Sequence, residues 1–215
     1  MPLDREDYIE QAYFFHAIAE RVAQGMPTQD LLESLEEEVL ATTNLPMAID
    51  FLGAELRLVG TFAPAMAKLA HYFAPFQTFV IAEAEDEHGR FDFRTALVVL
   101  ERESRYRAED GTAQGMFFFQ FETLCRNRLG YERGLAAMAE DRLYDDDWRE
   151  WLTIVRRQIG IIDIADLVYV RSEHYTQVQL RNNSDYVSPA PVLFGEKEGK
   201  IALALRRKDP LLFFA

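Results

Sequence analysis

GRFDFRTALVVLERESRYRAEDGTAQGMFFFQFETLCRNRLG, residues 89–130, holds two helices and the clearest loop in the chain. Asp92 is placed to cap the first, because its carboxylate can accept from the free backbone N–H groups that open a helix. Ala96, Leu97, Leu100 and Ser104 then recur at helical spacing as far as Tyr106. RAEDGTAQG (107–115) has two glycines and few apolar residues, which predicts a loop. Met116-Phe117-Phe118-Phe119 is apolar on every side, so the helix it starts should lie between neighbours rather than on a surface. That helix is expected to run through Phe121, Leu124 and Cys125 to Leu129, with Gly130 breaking it.

The same pattern extends in both directions. Toward the N-terminus, Tyr8, Ile9, Ala12, Phe15, Ala19 and Val22 predict a helix over 4–23, with Gly25 as its stop. Thr28 is a candidate cap for the next helix, and Pro46 and Pro64 suit the first turns of two more. Pro75 is expected to end the last of these. FVIA (79–82) fits a helix or a strand, since periodicity does not arbitrate over four residues. Toward the C-terminus, short helices are expected over 131–140 and 147–157, the second with acids at its start, Arg156 and Arg157 at its end and Gly160 beyond. Residues 161–169 again fit either state. After Glu173 the pattern changes. YTQVQLR (175–181) alternates polar and apolar residues as a strand does, and NNSDYVSPAP (182–191) reads as a loop. VLFGEKEGKIALAL (192–205) reads as a β-hairpin turning near Lys197 to Gly199. The expected fold is therefore mainly α: about nine helices in a body of antiparallel hairpins, repeat-like or irregular, over residues 1–172. A small β-containing tail, 173–215, packs on that body.

Composition limits the function classes. The chain has 215 residues, 49% hydrophobic and 13% aromatic, which is ample core material and excludes global disorder. Its net charge is −13, concentrated in residues 1–89, where 16 acidic residues face 4 basic ones. Such a surface repels a phosphate backbone, so nucleic acid is not an expected partner. No run of apolar residues approaches the roughly 20 needed to span a bilayer, and the N-terminus is acidic where a signal peptide is basic. A soluble, cytoplasmic protein with no membrane partner is the expectation. Cys125 is the single cysteine, so neither an internal disulfide nor a cysteine metal cluster can form within the chain. The closing LLFFA (211–215) is an apolar end that would dock on the body, be covered in a homo-oligomer, or mark a longer natural chain.

Three segments resemble one another. GRFDFRTALVVLERE from Gly89, GYERGLAAMAED from Gly130 and GIIDIADLVYV from Gly160 each pass from a glycine into a helix-like stretch. Their leucines, Leu97, Leu135 and Leu167, lie 38 and 32 residues apart. The pattern is similar to the second helix of tetratricopeptide-like hairpins, whose period is about 34 residues. Over roughly residues 76–172, the resemblance implies stacked helical hairpins and a protein-binding scaffold.

Residues with chemical potential are few. Glu85 and His88 form Glu-x-x-His, the spacing that supplies ligands in di-iron bundles, but such sites need two copies and further glutamates. His16 and Glu20 share a helix face, yet a catalytic metal site takes three protein ligands. No metal centre and no cofactor are expected from these pairs. Cys125 sits among apolar residues, where a thiol is usually inert. Asp145, Asp146 and Asp147 suit a helix start better than a calcium loop. GEKEGK (195–200) resembles a phosphate loop, but its spacing is one short, no Ser or Thr follows Lys200, and no helix is expected after it. The leading expectation is a non-catalytic interaction or scaffold protein that docks another protein, with an acidic rim favouring a basic one. The alternative is an enzyme or ligand-binding protein with a carboxylate and histidine pocket between helices.

Overall fold

The structure is a computed structural model that describes residues 3–26, 28–38, 43–86 and 88–206. It is mainly helical. Twelve helices are found among the described residues, in the order α1 (Arg5–Ala23), α2 (Thr28–Glu38), α3 (Leu45–Val59), α4 (Ala63–Lys68), α5 (Pro75–Ala84), α6 (Phe93–Ala108), α7 (Ala113–Asn127), α8 (Tyr131–Ala139), α9 (Asp146–Gln158), α10 (Ile164–Tyr169), α11 (Glu173–Asn182) and α12 (Glu196–Leu205). The chain divides into two compact units, with the boundary inside α7. The first comprises residues 1–119 and 141–143, the second 120–140 and 144–215.

In the first unit α1 packs most extensively on α6, and α5 also lies against α6. Phe14 and Phe15 of α1 meet Phe73 with ring centroids 6.3 and 6.1 Å apart, all three buried. Polar groups that this packing buries find partners. Gln11 donates to the Tyr72 carbonyl at 2.9 Å, and its Oε1 accepts from Gln77 at 2.7 Å and from Ser104 at 2.9 Å. Arg107 at the end of α6 is buried between Glu103, at 2.9 Å, and Asp141, with both of its terminal nitrogens on the latter carboxylate. The two neighbouring acids hold the Arg107 guanidinium charged against the penalty of its burial.

The second unit is built around Trp148, Trp151, Tyr144 and Phe194, all buried, with Phe194 5.2 and 5.0 Å from the two indoles. Helix α8 packs on α9, and α12 packs on α10 and α11. Asp145 accepts from the Trp148 N–H at 3.0 Å and caps α9, whose first turn carries Asp146 and Asp147 and whose last turn carries Arg156 and Arg157.

Several expectations change on contact with the structure. Of the two ambiguous stretches, 76–84 is helical and lies in α5, whereas 161–169 is helical only from Ile164 (α10), with Ile162 in an isolated bridge to Ile159. Pro75 opens α5 instead of ending α4. The C-terminal β-hairpin expected over 192–205 is not found, and no sheet occurs among the described residues. YTQVQLR belongs to α11. Ser172 caps it by accepting from the Tyr175 N–H at 3.2 Å, Glu173 lies in its first turn and Arg181 in its last, and these end signals outweigh a short alternating pattern. GEKEGK opens α12, with Glu196 and Glu198 at the positive end of the helix and Glu196 paired to Lys200 at 2.6 Å. Gly199 is a packing glycine inside that helix. A Cβ there would lie 2.3 Å from Ser172 Oγ and 2.7 Å from His174 Cβ. All that remains of strand pairing nearby is one isolated bridge, Ser172 to Phe194. The LLFFA end lies outside the described residues.

Candidate functional site

The residues singled out by sequence do not converge. His16 is exposed on α1, and its Nδ1 lies 3.2 Å from Glu101 of α6, which also pairs with Arg105 at 2.5 Å. His16 and Arg105 border an open groove of about 330 Å³ along α1 and α6. Glu20 is exposed one turn away and forms no bond with His16. Glu85 and His88 are separated in role. Glu85 accepts from the backbone N–H groups of Phe62 at 2.5 Å and Ala63 at 2.9 Å, so it caps α4 from a distance in sequence. Its half-burial pushes the carboxyl pKa up, and the two N–H groups oppose that shift. His88 is exposed beside Asp86. No group of three or more His, Cys, Asp or Glu side chains suited to a metal occurs among the described residues. Cys125 Sγ accepts a hydrogen bond from the Tyr131 hydroxyl at 3.4 Å, and burial pushes its thiol pKa up. A phosphate-binding role for GEKEGK gains the helix that sequence denied it, yet Lys200 is held by Glu196 and no hydroxyl residue follows.

Two other features have the shape of binding sites. The first is the outer face of α3. Leu45, Ala48, Ile49, Leu52 and Leu56 bury one face of this helix. Met47, Phe51, Ala54 and Leu58 follow at steps of four, three and four residues along the opposite face. Met47 is 69% exposed and Leu58 81% exposed. Such steps make a straight apolar seam of the kind that packs on another helix. Exposed acids flank it, Asp50 on α3 and Glu33 and Glu36 on α2, while Arg57 is tied to Glu33 at 2.5 Å.

The second is a cavity of about 260 Å³ in the second unit. Trp151, Tyr175, Tyr186, Leu167 and Pro189 supply apolar wall, and Arg171 is the one cation among the residues that line it. Arg171 is only 8% exposed. Its Nε and Nη2 are closed off from solvent and have no hydrogen-bond acceptor among the described residues. Leaving buried donors unsatisfied costs about 1–3 kcal/mol apiece. Asp147 and Glu150 on α9 attract the charge, but burial dominates and lowers the Arg171 pKa. The backbone around it is fixed, since the Arg171 carbonyl accepts from the N–H groups of Leu193 at 2.8 Å and Phe194 at 3.1 Å.

No family model, curated protein or solved structure matches this chain. No helix among the described residues is long and apolar enough to cross a membrane.

Neither feature was singled out in the sequence. The α3 seam carries a trace there, because LPMAIDFLGAELRLV is apolar at positions that fill two opposite faces. Arg171 follows the apolar run LVYV and precedes a capping serine, a charge held against core residues. The cavity also needs the 183–190 loop folded over it, and loop composition does not encode that placement.

Proposed function

We propose that this chain is an interaction protein that docks a helix of another protein on the outer face of α3. The carrying observation is the seam of Met47, Phe51, Ala54 and Leu58, apolar at helix-packing steps, with Met47, Ala54 and Leu58 exposed and Phe51 half-buried. Apolar anchors at i, i+4, i+7 and i+11 are what a groove-bound or paired helix reads. Covering a Met or Leu side chain contributes about 1.5–3 kcal/mol each. The flanking acids Glu33, Glu36 and Asp50 select a partner helix with Lys or Arg beside its apolar stripe. The proposal is of the kind that the tetratricopeptide-like resemblance implies, reached from a different surface.

The test uses two amphipathic peptides with the same apolar stripe, one flanked by lysines and one by glutamates. The full chain should bind the lysine peptide, more weakly as salt rises, and the glutamate peptide far less. A Met47→Glu, Leu58→Glu double variant with an unchanged circular dichroism spectrum should lose that binding. Equal affinity for both peptides would overturn the charge selection. Unimpaired binding by the double variant, or a wild-type dimer that this variant dissociates, would overturn the proposed occupant.

A further inference from the structure

We propose that the second-unit cavity is the docking site of the chain's own C-terminal segment, with a phenylalanine of LLFF (211–214) seated among its aromatic walls. This goes beyond the α3 proposal and stands on a separate unit.

The path of the chain leads to the cavity. Every residue that lines it, and Arg206 at the end of α12, belong to the second unit. Helix α12 packs on α10 and α11, and both supply cavity wall: Leu167 and the capping Val170 from α10, Tyr175 from α11. The chain leaves α12 at Arg206, whose side chain pairs with Asp166 and lies over the Tyr169 ring at 5.5 Å. Asp166 precedes Leu167 and Tyr169 precedes Val170, so the exit is tied to the same short helix that walls the cavity. RKDPLLFFA (207–215) follows. An extended chain covers about 3.3 Å per residue, so the lead RKDP reaches about 13 Å. That exceeds the roughly 10–12 Å diameter of a helix with its side chains. Pro210 biases Asp209 toward extended backbone, which favours the full reach.

Size, surface and charge fit this occupant. A cavity of about 150 Å³ takes up a benzene ring. At about 260 Å³ the present one holds a phenyl ring and part of a neighbouring leucine. Trp151, Tyr175 and Tyr186 offer ring faces and edges to a phenylalanine. Val170 lines the cavity yet is 46% exposed, so apolar wall is left uncovered by the described residues. Asp147 and Glu150 both act on Arg171 and outnumber it, so the surroundings favour a segment that brings cations over one that brings anions. Arg207 and Lys208 against Asp209 give the lead that sign. The tether also lowers the affinity required, since a short linker holds its segment at an effective concentration on the order of 1 mM.

The test uses the full chain carrying the photo-crosslinker benzoylphenylalanine in place of Phe213 or, separately, Phe214. Irradiation should give a cross-linked monomer, with the adduct mapped by mass spectrometry to Leu167, Val170, Tyr175, Tyr186 or Pro189. Val170→Glu puts a charge at the apolar mouth from an exposed position, and it should cut the yield severalfold while keeping the helical spectrum. Ala190→Trp, which fills the cavity from its loop side, should do the same. A second readout needs no crosslinker. Fluorescein-labelled RKDPLLFFA should bind a full-length Phe213→Ser, Phe214→Ser variant about tenfold more tightly than wild type, the factor for a peptide Kd of about 100 μM against a tethered competitor at about 1 mM. Adducts between two chains, adducts outside the cavity, no adduct, a yield unchanged in either cavity variant, or equal peptide affinity for variant and wild type overturns the proposal.

Discussion

Replacing Gly199 with alanine puts a methyl carbon where α12 meets the start of α11. On helix propensity alone the change is favourable by about 1 kcal/mol. The structure predicts the opposite sign. The new carbon would sit 2.3 Å from Ser172 Oγ and 2.7 Å from both Ser172 Cβ and His174 Cβ. Ser172 is poorly able to yield, because its hydroxyl donates to the Tyr169 carbonyl at 2.7 Å and accepts from the Tyr175 N–H at 3.2 Å. Overpacking a site of this kind costs about 1–3 kcal/mol. Losing the serine cap adds about 1 kcal/mol. Set against the propensity gain, Gly199→Ala should destabilise the protein by about 1–3 kcal/mol. Urea denaturation followed by circular dichroism measures this directly. A Ser172→Gly background removes the obstructing side chain, so the penalty there should shrink by about 0.5–3 kcal/mol, the range for residues in contact. A Gly199→Ala protein more stable than wild type by about 1 kcal/mol would refute the close approach of the two helices.

Three further outcomes are expected. Arg107→Met removes the cation that Glu103 and Asp141 share in the first unit, and losing one member of a buried ion cluster costs about 3–5 kcal/mol, readable as a fall in urea midpoint; a loss under 1 kcal/mol would show that the cluster is solvated. Glu85→Gln replaces one of two acceptor oxygens with a donor facing the Phe62 or Ala63 N–H, a loss of about 1–2 kcal/mol at pH 7. Burial raises the folded pKa of Glu85 above the usual 4.5, so the folded chain takes up this proton before the unfolded one does. The wild type should therefore gain stability relative to Glu85→Gln as pH falls from 7 toward 4.5, and a gap that narrows would contradict the burial argument. Finally, the raised pKa of Cys125 should make its alkylation by iodoacetamide at pH 8 slower than in the unfolded chain. Equal rates would contradict it.

The helices that sequence conveyed best are those whose ends are chemically marked. Asp92 caps α6 by accepting from the Thr95 N–H at 2.7 Å, and the acids and arginines expected at the two ends of the 147–157 helix are found on α9. Sequence failed where one residue type serves two purposes. Gly199 reads as a turn glycine, yet it permits a helix crossing, and only the three-dimensional neighbour tells the two apart. YTQVQLR reads as a strand because Val178 and Leu180 alternate with Gln177 and Gln179, while α11 has no fully buried residue to impose a stronger helical stripe.

The candidate sites follow the same logic with a different outcome. The sequence search favoured residues with rare chemistry, His16, Glu20, Glu85, His88 and Cys125, and each proves to be exposed, a cap, or a protonated thiol. Arg171 belongs to a common residue type, and no spacing rule distinguishes it from the chain's other arginines. What sets it apart is a mismatch between environment and bonding. The Arg107 side chain is 5% exposed and has two acids to hold it, with only its Nε left without an acceptor, whereas Arg171 is buried with both Nε and Nη2 lacking one among the described residues. A buried charge is normally retained only where something compensates it. In the first unit Glu103 and Asp141 do so, and Arg107 reads as structural. In the second unit the chain's own acids stand off on the exposed side of α9, and the cavity beside the guanidinium is walled by rings and aliphatic groups. The same residue type thus stands in two different settings in the two units, and nothing in the local sequence around Arg107 or Arg171 tells the two apart.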